Sequence, residues 1–213
     1  MRGAESDGGD PRLLATVEAY DACPEAYQAQ WLDHRPRAAL RRFSRVAGRG
    51  ARVLDVACGP ALDVRALRDA GLLVVAGDRA PAVVAHAALL HPKRPLAVWD
   101  FRCLPFADQT FGGIWAPAAL QHVGRARLRR AFAEIRRVHA AGPIFVTFRE
   151  GDGDLAALED GPAGTVHITS VAADQLKALL LDQRYREVEV ERHPDPLGRP
   201  GIVWLHGWGL LPG

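Results

Sequence analysis

The sequence predicts an α/β fold: a doubly wound, mostly parallel sheet with helices on both faces and an antiparallel hairpin at its C-terminal end. After residue 50, short apolar runs alternate five times with segments of helical periodicity, which is the pattern of parallel strands joined by crossover helices. The first run, 52–56, ends in a turn of small residues. The last two runs, 185–191 and 202–208, are joined by a segment too short for a crossover helix, so they predict the hairpin.

The composition fits one ordinary domain. The chain has 213 residues, 48% of them hydrophobic and 24% charged. With 27 basic and 25 acidic residues the formal charge is +2, which does not favour nucleic acid as a partner. We find no apolar run long enough for a membrane span, no secretory signal, and three scattered cysteines without a disulfide or metal pattern. We therefore expect a cytoplasmic protein, monomeric or homodimeric, without membrane partner or metal site.

The N-terminal quarter differs from the rest of the chain. Residues 1–11 are polar and glycine-rich and predict a disordered tail, followed by a single domain over 12–213. Within that domain, 12–47 predicts a lid of two or three short helices, interrupted by Pro24 and Pro36, and 50–213 predicts the sheet core.

The core elements follow from apolar runs and their boundaries. Helix 125–139, for example, carries Leu128, Phe132, Ile135 and Val138 on one face. Strands are predicted over 52–56, 72–76, 96–99, 111–116 and 144–148, and helices over 61–70, 81–90, 125–139 and 171–182. Segment 149–168 is predicted to be a loop.

Acidic residues stand at the ends of three successive strands. Ligands of open parallel sheets bind at the carboxyl ends of the strands, where Asp55, Asp78 and Asp100 are expected to lie. Asp55 suits a ligand ammonium, and Asp78, 23 residues further on, suits the two hydroxyls of a ribose. Asp100, beside Phe101, suits an exocyclic amine. The alternative for each acid is a structural role, bonded to loop amides or to water.

Several segments of the sequence together resemble a known protein family. Segment 53–61 (VLDVACGPA), with Asp78, resembles the glycine-rich loop and ribose acid of class I S-adenosylmethionine-dependent methyltransferases, which have a Rossmann-like fold. Segments 100–111 and 120–123, the helix ending at Val138, and the C-terminal hairpin resemble further parts of that family. The resemblance implies S-adenosylmethionine as cofactor, S-adenosylhomocysteine as product, and a small-molecule methyl acceptor. The cofactor-binding residues implied are Tyr27, Asp55, Ala57, Cys58, Gly59, Asp78, Arg79, Asp100, Phe101 and Ala116.

A catalytic role is assigned to His122, which follows the fourth strand, where acceptors lie in this family. Its unperturbed pKa of about 6.5 suits proton removal from an acceptor. The alternative is a histidine at a helix start that bonds to backbone.

Two other functions stay open. The family usually has glycine where this chain has Ala57 and Ala61, and an acid where it has Gly112, which favours a non-catalytic binder of the cofactor or its product. The third alternative is a dinucleotide-dependent oxidoreductase. It predicts three glycines after the first strand, of which only Gly59 is present.

Overall fold

The computed structural model of the protein describes residues 10–92 and 96–213. Its helices are α1 (Pro11–Asp21), α2 (Pro24–Trp31), α3 (Arg37–Ala47), α4 (Leu62–Asp69), α5 (Pro81–Leu90), α6 (Arg125–Val138) and α7 (Ala173–Asp182). Its strands are β1 (Arg52–Asp55), β2 (Leu73–Asp78), β3 (Leu96–Val98), β4 (Gly113–Ala116), β5 (Gly142–Arg149), β6 (Ala156–Glu159), β7 (Thr165–Ile168), β8 (Arg186–Pro194) and β9 (Val203–Leu211). None of the helices within these ranges is long and apolar enough to cross a membrane.

Seven strands form one sheet in the order β3-β2-β1-β4-β5-β9-β8. The five strands from β3 to β5 pair in parallel, and β9 is inserted antiparallel between β5 and β8. This arrangement confirms the predicted fold class, including the C-terminal hairpin. The strand order reverses between β1 and β4, so the carboxyl ends of these two strands open the crevice at which such sheets bind ligands.

Helices cover both faces of the sheet. On one face α3 and α4 pack through Phe43, Val64 and Leu67, and on the other α6 and α7 pack through residues such as Phe132 and Leu176. The three helices of the predicted lid are present as α1, α2 and α3.

Most element boundaries differ from the prediction by one to three residues, and two boundaries and one segment need a physical account. Residues 1–9 of the predicted tail lie outside the described residues, and Pro11, its last residue, is the first of α1 because Asp10 caps that helix. Strand β4 begins at Gly113, and Phe111 forms an isolated bridge with His139 instead. Segment 149–168, predicted to be a loop, contains both β6 and β7, which form an antiparallel pair.

The lid is fixed to the core by Asp21 at the end of α1. One oxygen of its carboxylate accepts hydrogen bonds from the backbone N–H groups of Ala82 (2.7 Å) and Val83 (3.2 Å), at the start of α5. These amides have no partner within their own helix, so the carboxylate satisfies both and holds α1 over the crevice.

A buried histidine makes the stability of the fold dependent on pH. His139 is fully buried against Tyr185, with 2.9 Å between Nδ1 and the phenolic oxygen, and burial lowers its pKa to about 4. Because the native pKa lies below that of the unfolded chain, its contribution is complete above about pH 6.5 and is lost as the pH falls towards 4.

Because of His139, we expect the free energy of unfolding to fall by about 3 kcal/mol as the pH is lowered from about 6.5 to about 4. Urea unfolding of the wild type and of His139→Gln at several pH values measures it. The variant should show a shallower loss of stability with acid, and parallel curves for the two proteins would contradict the assignment.

Candidate functional site

Two adjoining cavities open at the carboxyl ends of β1, β2, β4 and β5, beneath α1 and α2. The larger has a volume of about 350 Å³ and the smaller about 100 Å³. The residues that line both are Tyr20, Tyr27, Ala57, Gly59, Pro117 and Ala118. Since one set of residues separates the cavities, an elongated ligand can extend across both.

The loop after β1 forms the floor between them. The backbone N–H of Cys58 donates to Gly77 O at 2.9 Å, which ties the loop to β2. Gly59 and Ala61 have φ angles of 52° and 58°, in the left-handed region where a side chain is strained. Ala61 adopts this conformation with its methyl group completely buried.

Asp55 ends β1 at the wall of the larger cavity. Its residue is 2% exposed, and its Oδ1 has no hydrogen-bond partner among the described residues. Burial, followed by the charges of Asp63 and Asp78, raises the pKa of this carboxyl well above its usual value. A buried acceptor without a partner is costly, so this oxygen is suited to a cationic or hydrogen-donating ligand group.

Asp78 ends β2 and lines the smaller cavity. Its Oδ2 accepts from the N–H of Gly59 at 2.8 Å and its Oδ1 from the N–H of Ala80 at 3.0 Å. The carboxylate therefore organises the loop, and each of its oxygens keeps a lone pair for a ligand hydroxyl. Burial raises its pKa, although the backbone hydrogen bonds act in the opposite direction.

Asp100 also lines the smaller cavity, with Arg79 and Phe101. Its carboxylate is held by the guanidinium of Arg102, with 2.7 Å between Oδ2 and the nearer terminal nitrogen, and Nε of Arg79 lies 3.5 Å away. The Asp100 carboxylate, expected to be a free acceptor for an exocyclic amine, is thus already paired with Arg102. Sequence spacing did not predict this pairing, because the side chain of a nearby arginine can adopt many other conformations.

Tyr20 and Tyr27 line both cavities. Their ring centroids are 4.8 Å apart, and the Tyr20 hydroxyl lies 3.4 Å from Oδ2 of Asp160. Burial raises the pKa of both phenols, so they remain neutral. They present aromatic surface and a hydroxyl, without charge, to a ligand.

Two predicted site residues lie elsewhere than expected. Ala116 is completely buried in β4 and lines neither cavity, whereas the next two residues line both. His122 lines only the smaller cavity, its Nδ1 lies 3.1 Å from the His167 carbonyl oxygen, and burial lowers its pKa. It is therefore placed on the side of Asp78, and its position does not support the role of proton acceptor at an acceptor molecule.

The outer wall of the larger cavity contains residues that the sequence pattern did not identify. Arg199 forms an ion pair with Asp195 at 2.9 Å and lies 3.5 Å from Asp160, which joins the β8–β9 loop to the β6–β7 pair. Thr147, Gln121, His193 and His206 complete this wall. His193 and His206 have no local sequence signal, because the β8–β9 hairpin reaches the site only through the insertion of β9 beside β5. Among the residues described, no group of three or more potential ligands is arranged for a metal ion.

Comparison with known proteins agrees with this geometry. Residues 54–147 match the family model described as "Methyltransferase domain". The chain is 34% identical over 93 residues to the demethylmenaquinone methyltransferase of Renibacterium salmoninarum, covering 44% of this chain and 38% of that protein. It is 33% identical over 106 residues to the malonyl-[acyl-carrier protein] O-methyltransferase of Erwinia pyrifoliae, covering 49% of this chain and 40% of that protein. The alignments thus span about two fifths of these relatives.

Among solved structures, the fold is similar to that of the 1,6-didemethyltoxoflavin-N1-methyltransferase of Burkholderia thailandensis, bound to 1,6-didemethyltoxoflavin and S-adenosylhomocysteine. The TM-score is 0.67 at 20% identity, covering 99% of this chain and 94% of that one. Residues 54–147 are thus similar to a methyltransferase domain, and the fold is similar to that of a methyltransferase that binds S-adenosylhomocysteine, in agreement with the sequence resemblance.

Proposed function

We propose that the protein transfers a methyl group from S-adenosylmethionine to a small-molecule acceptor. The observation that carries the proposal is the unpartnered, buried Oδ1 of Asp55 in a cavity that adjoins the one lined by Asp78. A ligand with an ammonium at one end and a ribose at the other satisfies both carboxylates at once. A carboxylate and an ammonium separated from water by burial also attract each other more strongly than they would in solvent.

The residues present fit this cofactor. Asp55 with the loop at 57–59 would hold the amino-acid end, and Asp78 with Arg79 would hold the ribose. Phe101 and Asp100 would border the adenine, with Arg102 as an additional neighbour, and Tyr27 would cover the sulfur. When bound, the cofactor supplies a methyl group on a positively charged sulfur, and an aromatic face such as that of Tyr27 stabilises positive charge nearby.

The protein then contributes chiefly by alignment. The lid, held by Asp21, and the β6–β7 pair enclose the larger cavity, so that acceptor and methyl group meet away from water. Holding two reactants in line supplies several kcal/mol towards the barrier of a displacement reaction.

Calorimetric titration with S-adenosylmethionine and then S-adenosylhomocysteine tests the proposal. Binding of both, with methyl transfer from labelled cofactor to at least one member of a panel of small molecules, is the expected result. Binding without transfer to any of them would instead favour a non-catalytic binder, and binding of a nicotinamide dinucleotide in place of both would favour an oxidoreductase.

The two acids of the smaller cavity should differ in their importance for binding. We expect Asp78→Ala to weaken binding of S-adenosylhomocysteine about 100-fold, because it removes the ribose acceptors and the loop contact to Gly59. Asp100→Ala should weaken it less than about 10-fold, since Arg102 already occupies that carboxylate. Isothermal titration of both variants measures the difference, and equal losses would show that Asp100 is bound by the ligand as directly as Asp78.

A cytoplasmic location, a monomeric or homodimeric state and the small size of the acceptor belong to the same proposal. The three cysteines are free, which supports a reducing compartment. The volume of the larger cavity, about 350 Å³, supports a small acceptor beside the amino-acid end of the cofactor.

A further inference from the structure

Two histidines, His193 on β8 and His206 on β9, line the larger cavity, and β4 and β5 separate their hairpin from β1 and Asp55 in the sheet. His206, on β9, is the register partner of Thr147 on β5, and directly paired residues of antiparallel strands carry their side chains on one face. Both residues line the cavity. His206 therefore lies beside the carboxyl end of β5, in the half of the site that the proposed cofactor-binding residues leave for the acceptor.

His206 is held in place without hydrogen bonds to its ring. It stacks on His193 with ring centroids 3.8 Å apart, and Phe145 packs against it edge-on at 5.3 Å. No described residue forms a hydrogen bond with either ring nitrogen of His206, so the ring is free to accept one from a ligand. Burial, and secondarily the neighbouring His193, lower the pKa of His206 to about 4, which keeps the ring neutral near pH 7.

The charged groups around the stack are mutually paired. Nε2 of His193 lies 3.2 Å from Glu191, the register partner of His206 on β8, and Arg42 of α3 lies 3.5 Å from the same carboxylate. The two arginines that line the cavity also have carboxylate partners: Arg35 lies 3.7 Å from Asp63, and Arg199 2.9 Å from Asp195. An anionic acceptor would therefore find no unpaired cation among the described residues of this wall.

A second polar group on the wall lacks a partner. Gln121 is 5% exposed and lines the cavity, and its side-chain oxygen has no hydrogen-bond partner in the described part of the chain. Like the ring nitrogen of His206, this oxygen accepts a hydrogen bond. With Gln121 and His206 this wall has two unused acceptors and no unused cation, and Nε1 of Trp31 on α2, which also has no described partner, adds one donor to the cavity. These groups fit an uncharged ligand that carries O–H or N–H groups.

We propose that the acceptor is an uncharged molecule with an O–H or heteroaromatic N–H group, positioned by Gln121, and that His206 takes up the proton of that group during methyl transfer. The inference rests on the proposed function. The lone pair of the acceptor atom forms the bond to the methyl carbon, the carbon–sulfur bond breaks, and its electron pair stays on sulfur. The acceptor proton moves to the free ring nitrogen of His206 and then to solvent when the product leaves.

The weak basicity of His206 suits this step. As the new bond forms, the acceptor atom becomes positively charged and its proton becomes strongly acidic, so even a ring with a lowered pKa accepts it. A neutral ring is needed at the start of each turnover, and the buried, stacked position provides one at physiological pH.

The experiment compares His206→Gln with the wild type on uncharged phenols and heteroaromatic N–H compounds, and on an uncharged acceptor whose attacked atom carries no proton, such as a pyridine. We expect the variant to lose about 100-fold or more in rate on the acceptors that carry a proton. On the pyridine, which has no proton to remove, it should lose less than about 10-fold. Equal losses on both would show a structural role and overturn the inference. His91→Gln, at the C-terminal cap of α5 and outside the lining of both cavities, is the matched control and should leave both rates unchanged.

A second readout does not depend on turnover. His193→Phe keeps an aromatic ring in the stack and removes the like charge, so the pKa of His206 should rise. The acid limb of the pH–rate profile for acceptors that carry a proton should then shift to higher pH. Titration of the His206 ring by NMR measures the pKa directly. A rise in the NMR pKa without movement of the acid limb would show that His206 does not take the proton. Failure of the wild type to methylate any acceptor would overturn the proposed function itself.

Discussion

Replacing Asp55 by asparagine is expected to weaken binding of S-adenosylmethionine about 100-fold and, at the same time, to stabilise the ligand-free protein by about 1–2 kcal/mol. Binding falls because the variant lacks the charge that meets the ligand ammonium. Stability rises because a carboxyl whose pKa is raised by burial destabilises the native state at every pH at which it is ionised, and the amide carries no charge.

The opposite signs distinguish a ligand-binding acid from a structural one. Isothermal titration gives the first quantity and urea unfolding near pH 8 the second. Asp152→Asn, at an exposed position, is the matched control and should change neither. A variant that is both destabilised and unimpaired in binding would show that Asp55 serves only the loop.

Replacing Trp115 by alanine is expected to destabilise the protein by about 4 kcal/mol. Trp115 is completely buried in β4, stacked on Phe145 with centroids 4.6 Å apart and packed edge-on against Phe43 at 5.2 Å. Its Nε1 also donates to Oδ2 of Asp63 at 3.0 Å. The alanine variant therefore loses a large packed side chain and leaves a buried carboxylate without its donor.

The variant Trp115→Phe separates these two effects. It keeps most of the packing and loses the hydrogen bond to Asp63, so we expect a loss of about 2 kcal/mol in the free energy of unfolding, measured with urea. The double variant Trp115→Phe with Asp63→Asn should recover part of that loss, since the buried charge is removed with its donor. No recovery would mean that the loss comes from packing alone.

The sequence predicted most of the fold because its parallel strands are buried on both faces and read as continuous apolar runs. Val53, Leu54, Ile114 and Phe145 are all completely buried, and such runs stand out without any knowledge of their neighbours. The β6–β7 pair escaped prediction because its strands are only four residues long and β6 is largely exposed, so no apolar alternation marks it.

Residues of the site were predictable where the chemistry is local to a strand end. Asp55 and Asp78 end their strands, Gly59 lies in the loop after β1, and the structure places all three around the two adjoining cavities. Arg102 and His206 were not predictable, for different reasons. The contact of Arg102 with Asp100 depends on the conformation of one side chain. The position of His206 depends on the register of β9 against β5, which pairs residues about sixty positions apart in the chain.

The wall that faces the proposed acceptor comes largely from chain outside the segment at 54–147 that matches a methyltransferase domain, namely from α2 and from the segments around β7 and the β8–β9 hairpin. Asp55, Asp78 and Gln121 lie inside that matched segment, whereas His206 lies outside it. A protein that shares the match need not share the proposed base at position 206, so its choice of acceptor is set independently of the match.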